Sequence, residues 1–455
     1  MAKKRLLIIL TLIVKLGLNG ENGIGFYHGV IMRFISLFAF LVCLEASSAE
    51  YIIKLKKDAT FHTVNFLSIF GEVSEIPVSF GHFKKLSTAE PLRYNQIQKI
   101  QDIDSVYYLE ENRTYRAVDI IDQGPILRND ESRDFYSKQW GLKNTGENSG
   151  GLWRPGVAGE DIAAESAWRV TTGADEITIA VIDTGIDYEH DDLKENAWVN
   201  YAELSGEQGV DDDGNGFVDD VYGYNFFNDS GDPKDGNGHG THCAGIIGAS
   251  HNGKGTRGVM ANVQLMALKF LGDNGAGTLE GAIRAIDYAI KMKAHVMSNS
   301  WSGGGFSQSL EDAIIAARDA GILFVAASGN KQNDNDKWPT YPANYDIENV
   351  ISVGSMDGSG NRSVFSNYGK WTVHVHAPGS DIMSTIPNNA YRSFSGTSMA
   401  TPFVSGIAGL ILSQNITVGV EELKETIILN SVITRDLAHL SVGGRPNAYK
   451  VLSDE

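Results

Sequence analysis

Cysteine is nearly missing from this sequence of 455 residues, which contains Cys43 and Cys243 and no others. So few cysteines exclude a disulfide framework as the main source of stability. We expect Cys43 to be removed with an export signal, which leaves a single thiol. Stability must then come from a large hydrophobic core and from bound metal rather than from covalent crosslinks.

Basic residues are scarce relative to acidic ones. The chain has 38 Lys and Arg against 56 Asp and Glu, which gives a formal net charge of −18. Because phosphate backbones are bound by clustered Lys and Arg, and no such cluster occurs, we expect no nucleic-acid partner. The surplus carboxylates suit bound cations instead. The hydrophobic content of 42% is ordinary for a globular protein, and the length allows about two or three folding units.

Long apolar runs are also lacking. The amino terminus has two short ones, KKRLLIILTLIV and residues 34–44. Both are shorter than the roughly 20 residues that a transmembrane helix needs, so we expect no stable membrane span. The second run follows Arg33 and precedes small residues at positions 46–49, which is the pattern of a cleaved signal peptide.

We therefore predict a signal peptide over residues 32–49 and a secreted protein, with a periplasmic location as the alternative. Residues 1–31 are interpreted as an upstream extension that results from assigning the start to Met1 instead of Met32. The alternative interpretation is a long natural leader.

The next segment combines strand and helix patterns. YIIKLK alternates like a strand, PLRYNQIQKIQ has apolar residues at helical spacing, and VYYLEEN reads as another strand. We predict a small α+β domain over residues 50–117. Residues 118–133 turn polar and contain Gly124 and Pro125, which predicts a linker with a processing site. A small domain followed by such a linker is typical of a pro-segment.

Residues 134–455 alternate short apolar strands with helical runs. This pattern predicts an α/β fold in which a parallel sheet is covered by helices on both faces. One buried strand, ITIAVID, ends at Asp183, and another lies in GILFVAASGN, which ends at Asn330. In open sheets of this kind, functional groups lie beyond the carboxyl ends of the strands. Between them we predict a helix capped by Ser309, with Leu310 and Ile314 on its inner face.

Three glycine-flanked segments carry candidate chemistry: VIDTGID around Asp183, GNGHGTHCAG around His239, and FSGTSMATP around Ser398. Asp, His and Ser can act as orienting acid, base and nucleophile. Each also has a simpler interpretation, as a turn residue, half of a metal site or a helix cap. Spacing does not choose between His239 and His242. The three segments together favour a catalytic triad.

With these motifs the chain resembles the subtilisin-type serine endopeptidases (subtilases, peptidase S8 family) in precursor form, from Tyr51 to near the carboxyl end. GTSMATP is the most specific of the motifs. The resemblance implies that Asp183 orients the base His239, that Ser398 is the nucleophile, and that the side chain of Asn330 donates to the oxyanion. VYYLEENRTYRA resembles the end of an inhibitor I9-like propeptide, which implies an intramolecular inhibitor.

The resemblance also implies where substrate binds. VMSNSWSGGG is similar to the strand that pairs with substrate in the family, although Trp301 and Ser302 stand where Leu and Gly are common. Ordinary core packing is the alternative role for Trp301. We also expect a cis peptide bond between Tyr341 and Pro342. The candidate substrate-binding residues are Ser300, Trp301, Ser302 and Gly303.

Calcium is predicted as a structural cofactor at two places. In DDDGNGFVDD the oxygen-bearing side chains recur at every second residue, as in a calcium loop. An EF-hand needs Glu at the twelfth position, where this chain has Tyr222, and flanking glycines leave no room for its helices. The expected ligands of the loop are Asp211, Asp213, Asn215, the carbonyl of Phe217, and Asp219. The resemblance implies a second site at Asp161, Asp192 and Asn252.

The sequence thus predicts a secreted, calcium-stabilised serine endopeptidase that acts on proteins and peptides, is made as an autoprocessed zymogen, and is a monomer. The alternative is a non-catalytic subtilase-fold protein that binds calcium or peptides. A calcium-binding matrix or sensor protein is a third interpretation, and it rests on DDDGNGFVDD alone.

Overall fold

A computed structural model of the protein describes residues 48–128, 134–147 and 156–453. The predicted upstream extension (1–31) lies outside the described residues, as does nearly all of the predicted signal peptide (32–49), so both stay predictions. Among the helices of the described part, none is both long enough and apolar enough to cross a bilayer.

The amino-terminal unit is a four-stranded antiparallel sheet with two helices, in the strand order β2-β3-β1-β4. Its α+β architecture agrees with the sequence prediction. The alternation in β1 serves two interfaces: Tyr51 and Ile53 face the core of the unit, whereas Ile52 packs into the core of the large domain. The elements are β1 (Ala49–Leu55), α1 (Phe61–Leu67), β2 (Glu72–Ile76), β3 (His82–Thr88), α2 (Tyr94–Gln101) and β4 (Val106–Glu111).

After β4 the chain leaves the small domain and runs along the large one as three short strands, β5 (Thr114–Ala117), β6 (Asp122–Gln123) and β7 (Leu127–Arg128). We call residues 114–128 the tail segment. The linker with a processing site over residues 118–133 stays a prediction, and its described part contains β6 and β7. Its backbone pairs with strands of the large domain, and polar side chains carry no signal of such main-chain pairing.

The large domain is built on a seven-stranded parallel sheet in the order β16-β15-β14-β12-β8-β10-β9, as the α/β prediction requires. Two short 3₁₀ turns flank it, at Tyr136–Lys138 and Lys450–Leu452. The strands are β8 (Gly173–Asp183), β9 (Gly223–Asn225), β10 (Asn262–Lys269), β11 (Ala276–Thr278), β12 (Val296–Asn299), β13 (Trp301–Gly303), β14 (Leu323–Ala327), β15 (Val350–Met356), β16 (Val375–Pro378), β17 (Ile382–Ile386) and β18 (Ala390–Ser395). The helices are α3 (Ala164–Ala167), α4 (Tyr201–Ser205), α5 (His239–Gly248), α6 (Leu279–Lys291), α7 (Gln308–Asp319), α8 (Thr397–Gln414) and α9 (Val420–Leu429).

Helices cover both faces of this sheet, which confirms the predicted layer order. Successive residues of β8 enter different cores: Ile179 and Val181 pack with α5 and α8, and Ala180 and Ile182 pack with α6 and α7. Because both faces are buried, the strand reads as a continuous apolar run rather than an alternating one.

Helix α7 shows one local correction. Its cap is Ser307, whose hydroxyl accepts a hydrogen bond from the backbone N–H of Leu310 at 3.2 Å, and not Ser309. Ser309 is engaged elsewhere, since its backbone N–H donates to the Glu110 carboxylate of the small domain at 2.8 Å. The predicted inner face of the helix is confirmed by the burial of Leu310 and Ile314.

The small domain is held on α6 and α7 by charged contacts. Lys54 and Tyr108 both reach the carboxylate of Asp312, at 2.7 and 2.6 Å. The Glu110 carboxylate lies at the amino terminus of α7, where unpaired backbone N–H groups favour a negative charge. These contacts fix the position at which the tail segment enters the large domain.

Candidate active site

Asp183 and His239 come together at the carboxyl edge of the sheet. Asp183 is the last residue of β8, His239 is the first of α5, and Asp183 Oδ1 lies 2.8 Å from His239 Nδ1. Gly240 permits this approach, because a Cβ there would lie 2.1 Å from the carbonyl oxygen of Gly185. Both side chains are almost completely buried, and His239 Nε2 has no hydrogen-bond partner among the described residues.

Asp235, which the sequence analysis did not single out, aligns the two elements. One of its oxygens accepts from the backbone N–H of Gly238 (3.0 Å) and from the hydroxyl of Thr184 (3.0 Å), the residue after Asp183. The other accepts from the backbone N–H of Thr241 at 3.0 Å. Asp235 therefore ties the end of β8 to the first turn of α5, where His239 stands.

The surroundings of His239 favour its protonated form more than those of an ordinary histidine do. Burial lowers its pKa, but the charge of Asp183, the hydrogen bond between them and the charge of Asp235 outweigh burial, so the pKa is raised above 6.5. A pKa raised by folding contributes stability that is fully present below the unfolded value and is lost as the pH rises through the folded one.

His242, the other histidine of the motif, has a structural environment. Its Nε2 lies 3.0 Å from the carbonyl oxygens of both Ile382 and Arg392, and its ring stacks on Phe394. Burial lowers its pKa to about 3, so the ring is neutral and its N–H donates to these carbonyls. The structure thus separates two histidines that spacing left equivalent, because His239 alone of the pair contacts a carboxylate.

Ser398 is fully buried in the first turn of α8. Its hydroxyl lies 3.2 Å from the carbonyl oxygen of Ser300 and 3.3 Å from that of Val118 in the tail segment. The amino terminus of α8 directs unpaired N–H groups and positive dipole toward this point. A group that gains negative charge there is stabilised.

Asn330 follows β14 and is oriented by Thr397. Its Oδ1 accepts from the backbone N–H and the hydroxyl of Thr397, both at 2.9 Å. With the oxygen held in this way, Nδ2 points into the cleft and donates to the carbonyl oxygen of Asp119 at 2.6 Å. The amide of Asn330 is therefore a fixed donor aimed at a backbone carbonyl of the tail segment.

The tail segment crosses the site as a bound peptide would. Strand β5 lies antiparallel between β11 and β13. The backbone N–H of Ala117 donates to Gly275 at 2.9 Å, and that of Val118 donates to Ser300 at 3.0 Å. These bonds to opposite walls of the cleft place the carbonyl of Val118 at Ser398.

All four candidate substrate residues contact the tail segment through their main chain: Ser300 accepts from the backbone N–H of Val118, and the three residues of β13, Trp301, Ser302 and Gly303, pair with Ala117, Arg116 and Tyr115. The Trp301 side chain is fully buried, and its ring meets the Tyr115 ring at 5.3 Å between centroids. Core packing and contact with the bound strand, offered as alternatives for Trp301, thus both occur.

A cavity of about 510 Å³ lies beside Val118 and Gly303–Gly305, with Tyr341 on its wall. The bond between Tyr341 and Pro342 is cis, which confirms the expectation from the sequence.

Comparison with known proteins agrees with this geometry. The model of the Subtilase family matches residues 174–449, which is more than half of the chain. The chain belongs to the subtilase family.

Several relatives of this subtilase are proteases. Over 325 residues it is 37% identical to subtilisin-like protease 1 of Plasmodium berghei, a match that covers 67% of this chain and 51% of that protein. It is 40% identical over 273 residues to subtilisin-like protease 1 of Plasmodium vivax, covering 56% and 43%. It is 38% identical over 300 residues to the thermophilic serine proteinase of Bacillus sp. (strain AK1), covering 66% of each. The chain spans about half the length of the parasite relatives or less.

The acidic loop of this subtilase is organised around two residues that the sequence analysis missed. Carboxylate oxygens of Glu203, Asp213 and Asp220 all lie within 4.8 Å of one another. Burial raises the pKa of Asp220, and the neighbouring charges of Asp213 and Glu203 raise it further, while hydrogen bonds from Tyr288 and Asn215 oppose this. None of the salt bridges found in the described residues involves these three carboxylates.

Among the other predicted ligands of the loop, Asn215 contacts the cluster directly, since its Nδ2 donates to carboxylate oxygens of Asp213 at 3.1 Å and of Asp220 at 2.9 Å. Asp211 accepts from the backbone N–H groups of Asn215 and Gly216, and Asp219 accepts from that of Gly209. The Phe217 side chain is buried against Tyr288. Of the five predicted ligands, Asp213 alone belongs to the carboxylate cluster. Glu203 escaped notice because it lies outside the repeating motif, on α4.

At the second predicted calcium site the structure joins two of the three residues. Asn252 Nδ2 lies 3.2 Å from Asp192 Oδ1, and Asp192 Oδ2 accepts from the backbone N–H of Thr256 at 2.8 Å. Asp161 instead accepts from the backbone N–H groups of Asn144 and Ala163, both at 2.7 Å. Those contacts do not support Asp161 as a member of this site.

Cys243 completes a possible ligand trio with Asp183 and His239. Burial raises the pKa of its thiol well above the ordinary value, and Sγ lies 3.5 Å from the carbonyl oxygen of Ser398. A metal is bound by the thiolate, so a thiol kept protonated is a poor ligand. Cys243 is the cysteine of the described part, and it is free and buried.

We predict that Asp183→Asn lowers the pKa of His239, because it removes the neighbouring charge that opposes the burial penalty. Asp235→Asn should lower it less, since Asp235 is the smallest of the contributors. The measurement is an NMR pH titration of the His239 ring in a Ser398→Ala background, which prevents self-digestion. His242, whose pKa is about 3, serves as the internal reference. An unchanged His239 titration in Asp183→Asn would contradict the assigned contact.

Proposed function

We propose that the protein is a serine endopeptidase that hydrolyses peptide bonds in proteins and is made as a zymogen that cuts its own chain. The observation that carries the proposal is the tail segment, held in the cleft as a strand with the Val118 carbonyl at the Ser398 hydroxyl. Membership of the subtilase family supports it. The non-catalytic binding protein is the competing function, because a tail bound as a strand would also occupy a peptide-binding cleft.

In this proposal Ser398 attacks the carbonyl carbon and His239 Nε2 takes its proton. Nε2 is suited to this role because it lacks a partner among the described residues and can accept the hydroxyl proton. Asp183 accepts the Nδ1–H bond, which fixes the tautomer and stabilises the imidazolium that forms. His239 then gives the proton to the leaving amine, and water releases the acyl group by the same steps.

The negative charge that develops on the carbonyl oxygen is stabilised by Asn330 and by the amino terminus of α8. A single side-chain donor of this kind contributes about 10²–10³ in turnover, a magnitude measured in a member of this same family. The Thr397 contacts hold the Asn330 amide in its donating orientation before the reaction. Little reorganisation is then needed when charge develops.

The contacts of the tail segment support one bond in particular as the site of the proposed cut. Strand pairing and the Ser398 hydroxyl both point to the carbonyl of Val118, whereas Asn330 donates to the next carbonyl, that of Asp119. We assign the cut to the bond between Val118 and Asp119. Several main-chain hydrogen bonds fix this register, whereas the single side-chain amide of Asn330 can shift to the neighbouring carbonyl. The predicted processing region, residues 118–133, includes this bond.

The predicted propeptide, residues 50–117, would then be released together with Val118 and act as an intramolecular inhibitor. This role is supported by the packing of the small domain on α6 and α7 and by the tail segment, which occupies the cleft. Secretion through the signal peptide of residues 32–49 and a monomeric state are part of the same proposal. A secreted enzyme kept inactive until it cuts itself would be protected from digesting its own cell.

Calcium is proposed as a structural cofactor of the acidic loop. The residues fit a hard cation, because three carboxylates converge without a basic partner in the described structure and calcium prefers such oxygens. Glu203, Asp213 and Asp220 would hold it. The ion would neutralise their mutual repulsion and tie α4 to the end of the loop. Asp192 and Asn252 are proposed ligands of a second site.

Replacing Ser398 with alanine should abolish casein hydrolysis and leave a full-length precursor, because the nucleophile for both reactions is lost. Ser413→Ala, at the far end of the same helix, is the matched control and should process normally. Activity is measured with and without a phenylmethanesulfonyl-type serine reagent, and processing is followed by intact mass. Processing of the Ser398→Ala protein without added protease would refute self-cleavage. A wild-type protein without reagent-sensitive hydrolysis would favour the binding-protein alternative.

A chelator should lower the melting temperature of the wild-type protein, since an ion at 100 times its dissociation constant stabilises the fold by about 2.7 kcal/mol. Asp213→Asn should reduce this difference, because it removes one of the converging carboxylates while leaving the proposed second site intact. Asp212→Asn, in the same loop but outside the cluster, is the control. The measurement is thermal unfolding with calcium and with chelator, in a Ser398→Ala background. An undiminished calcium effect in Asp213→Asn would place the ion elsewhere.

A further inference from the structure

Beyond the bond at Ser398, the tail segment runs along the outer edge of the hairpin formed by β17 and β18. Antiparallel pairing joins β6 to Phe394 and Ser395 and joins β7 to Ala390 and Tyr391. The backbone N–H of Ile121 donates to Ser395 at 2.8 Å, and that of Gly124 donates to Ser393 at 2.9 Å. The outer edge of β18 is therefore covered by chain that follows the proposed cut.

We propose that this edge of β18 is a peptide-binding site for substrates, which engages the third to the tenth residue after the bond that is cut. The inference rests on the proposed endopeptidase function and deepens it. The ligand is an extended polypeptide on the leaving side of the reaction, and the tail segment shows how it would lie. Residues 121–128 of the tail segment occupy the places that these eight residues of a substrate would take.

The edge suits this purpose because main-chain pairing binds peptides of many sequences. A strand edge with free N–H and C=O groups is a template for another strand, which is the basis of recognition by strand addition. Arg392 adds a side-chain contact, since its Nε donates to the carbonyl oxygen of Gly124 at 2.6 Å. That bond also acts on the backbone and is independent of the ligand side chain.

Two positions add selectivity. A Cβ at Gly124 would lie 3.3 Å from the Cβ of Ser393, which is a tight contact, so we expect a small residue to be preferred at the sixth position after the cut. Leu127 packs on a buried apolar cluster of Phe135, Met383 and Tyr391, so the ninth residue after the cut should be apolar. The site therefore combines general main-chain pairing with two side-chain preferences.

The hairpin is also rigidly connected to the helix that carries the proposed base. The hydroxyls of Ser384 and Thr385 donate to the carbonyl oxygens of His242 and Thr241 in α5, both at 2.8 Å. His242 in turn donates to carbonyls of both strands of the hairpin. A peptide that pairs with β18 is therefore held in register with His239.

The experiment compares two quenched fluorescent peptides cut by the processed wild-type enzyme. The short peptide has the sequence of residues 114–121, and the long one that of residues 114–128. We expect the long peptide to have a kcat/KM at least about tenfold higher, mainly through a lower KM, because the short peptide keeps only the Ile121 contact with β18 and the long one adds the pairing of residues 122–128. Arg392→Ala in the enzyme should reduce this long-to-short ratio.

Changes within the long peptide locate the contact. N-methylation at the position of Gly124 removes the N–H that donates to Ser393 and should remove most of the gain, as should Leu127→Ser. Ile126→Ser is the matched control, because that side chain is 56% exposed, and it should keep the gain.

Equal kcat/KM for the short and long peptides would overturn the proposed site, because the added residues would then make no contact that favours cleavage. Cleavage of neither peptide would instead refute the endopeptidase function, and the β18 site with it. A gain in kcat/KM that survives both N-methylation at Gly124 and Leu127→Ser would also overturn the site, because the added length would then act without pairing.

Discussion

Main-chain pairing of the tail segment with both walls of the cleft is the constraint on which the functional account depends. β5 lies between β11 and β13, so its register is set from two sides at once. A shift by one residue would break the bonds of Ala117 and Val118 and would turn the buried Tyr115 side chain out of its pocket. The bond that faces Ser398 is therefore chosen by backbone geometry, with side chains such as Tyr115 and Trp301 making the register more costly to change.

The reacting groups come from separate parts of the chain, and buried polar contacts hold them in place. Asp235 connects the end of β8 to the start of α5, and Asn330 connects the end of β14 to the start of α8. Each of these two side chains uses its oxygen atoms to hold the first turn of a helix. The proposed base and nucleophile both lie in such a turn. The contacts that fix the start of each helix therefore also fix the position of its reacting side chain.

Much of this could be predicted from the sequence, and the exceptions have physical causes. The layered α/β fold and the pairing of Asp183 with His239 follow from apolar strands and from short specific motifs. Glu203 and Asp220 were missed as partners of Asp213, because a carboxylate cluster can be assembled from residues outside one repeating motif. Strands β6 and β7 within the predicted linker were not foreseen, because main-chain pairing leaves no mark on side-chain composition.

The identity of the first bond that the precursor cuts in itself is the most direct test of the account. We would purify the wild-type precursor, stop processing at early times, and determine the new termini by intact mass and amino-terminal sequencing. The account predicts a small fragment that ends at Val118 and a large one that begins at Asp119. A large fragment that begins at Ile120 would show that Asn330, rather than strand pairing, marks the bond. A first cut beyond residue 128 would contradict the claim that the tail segment lies in the cleft as a substrate.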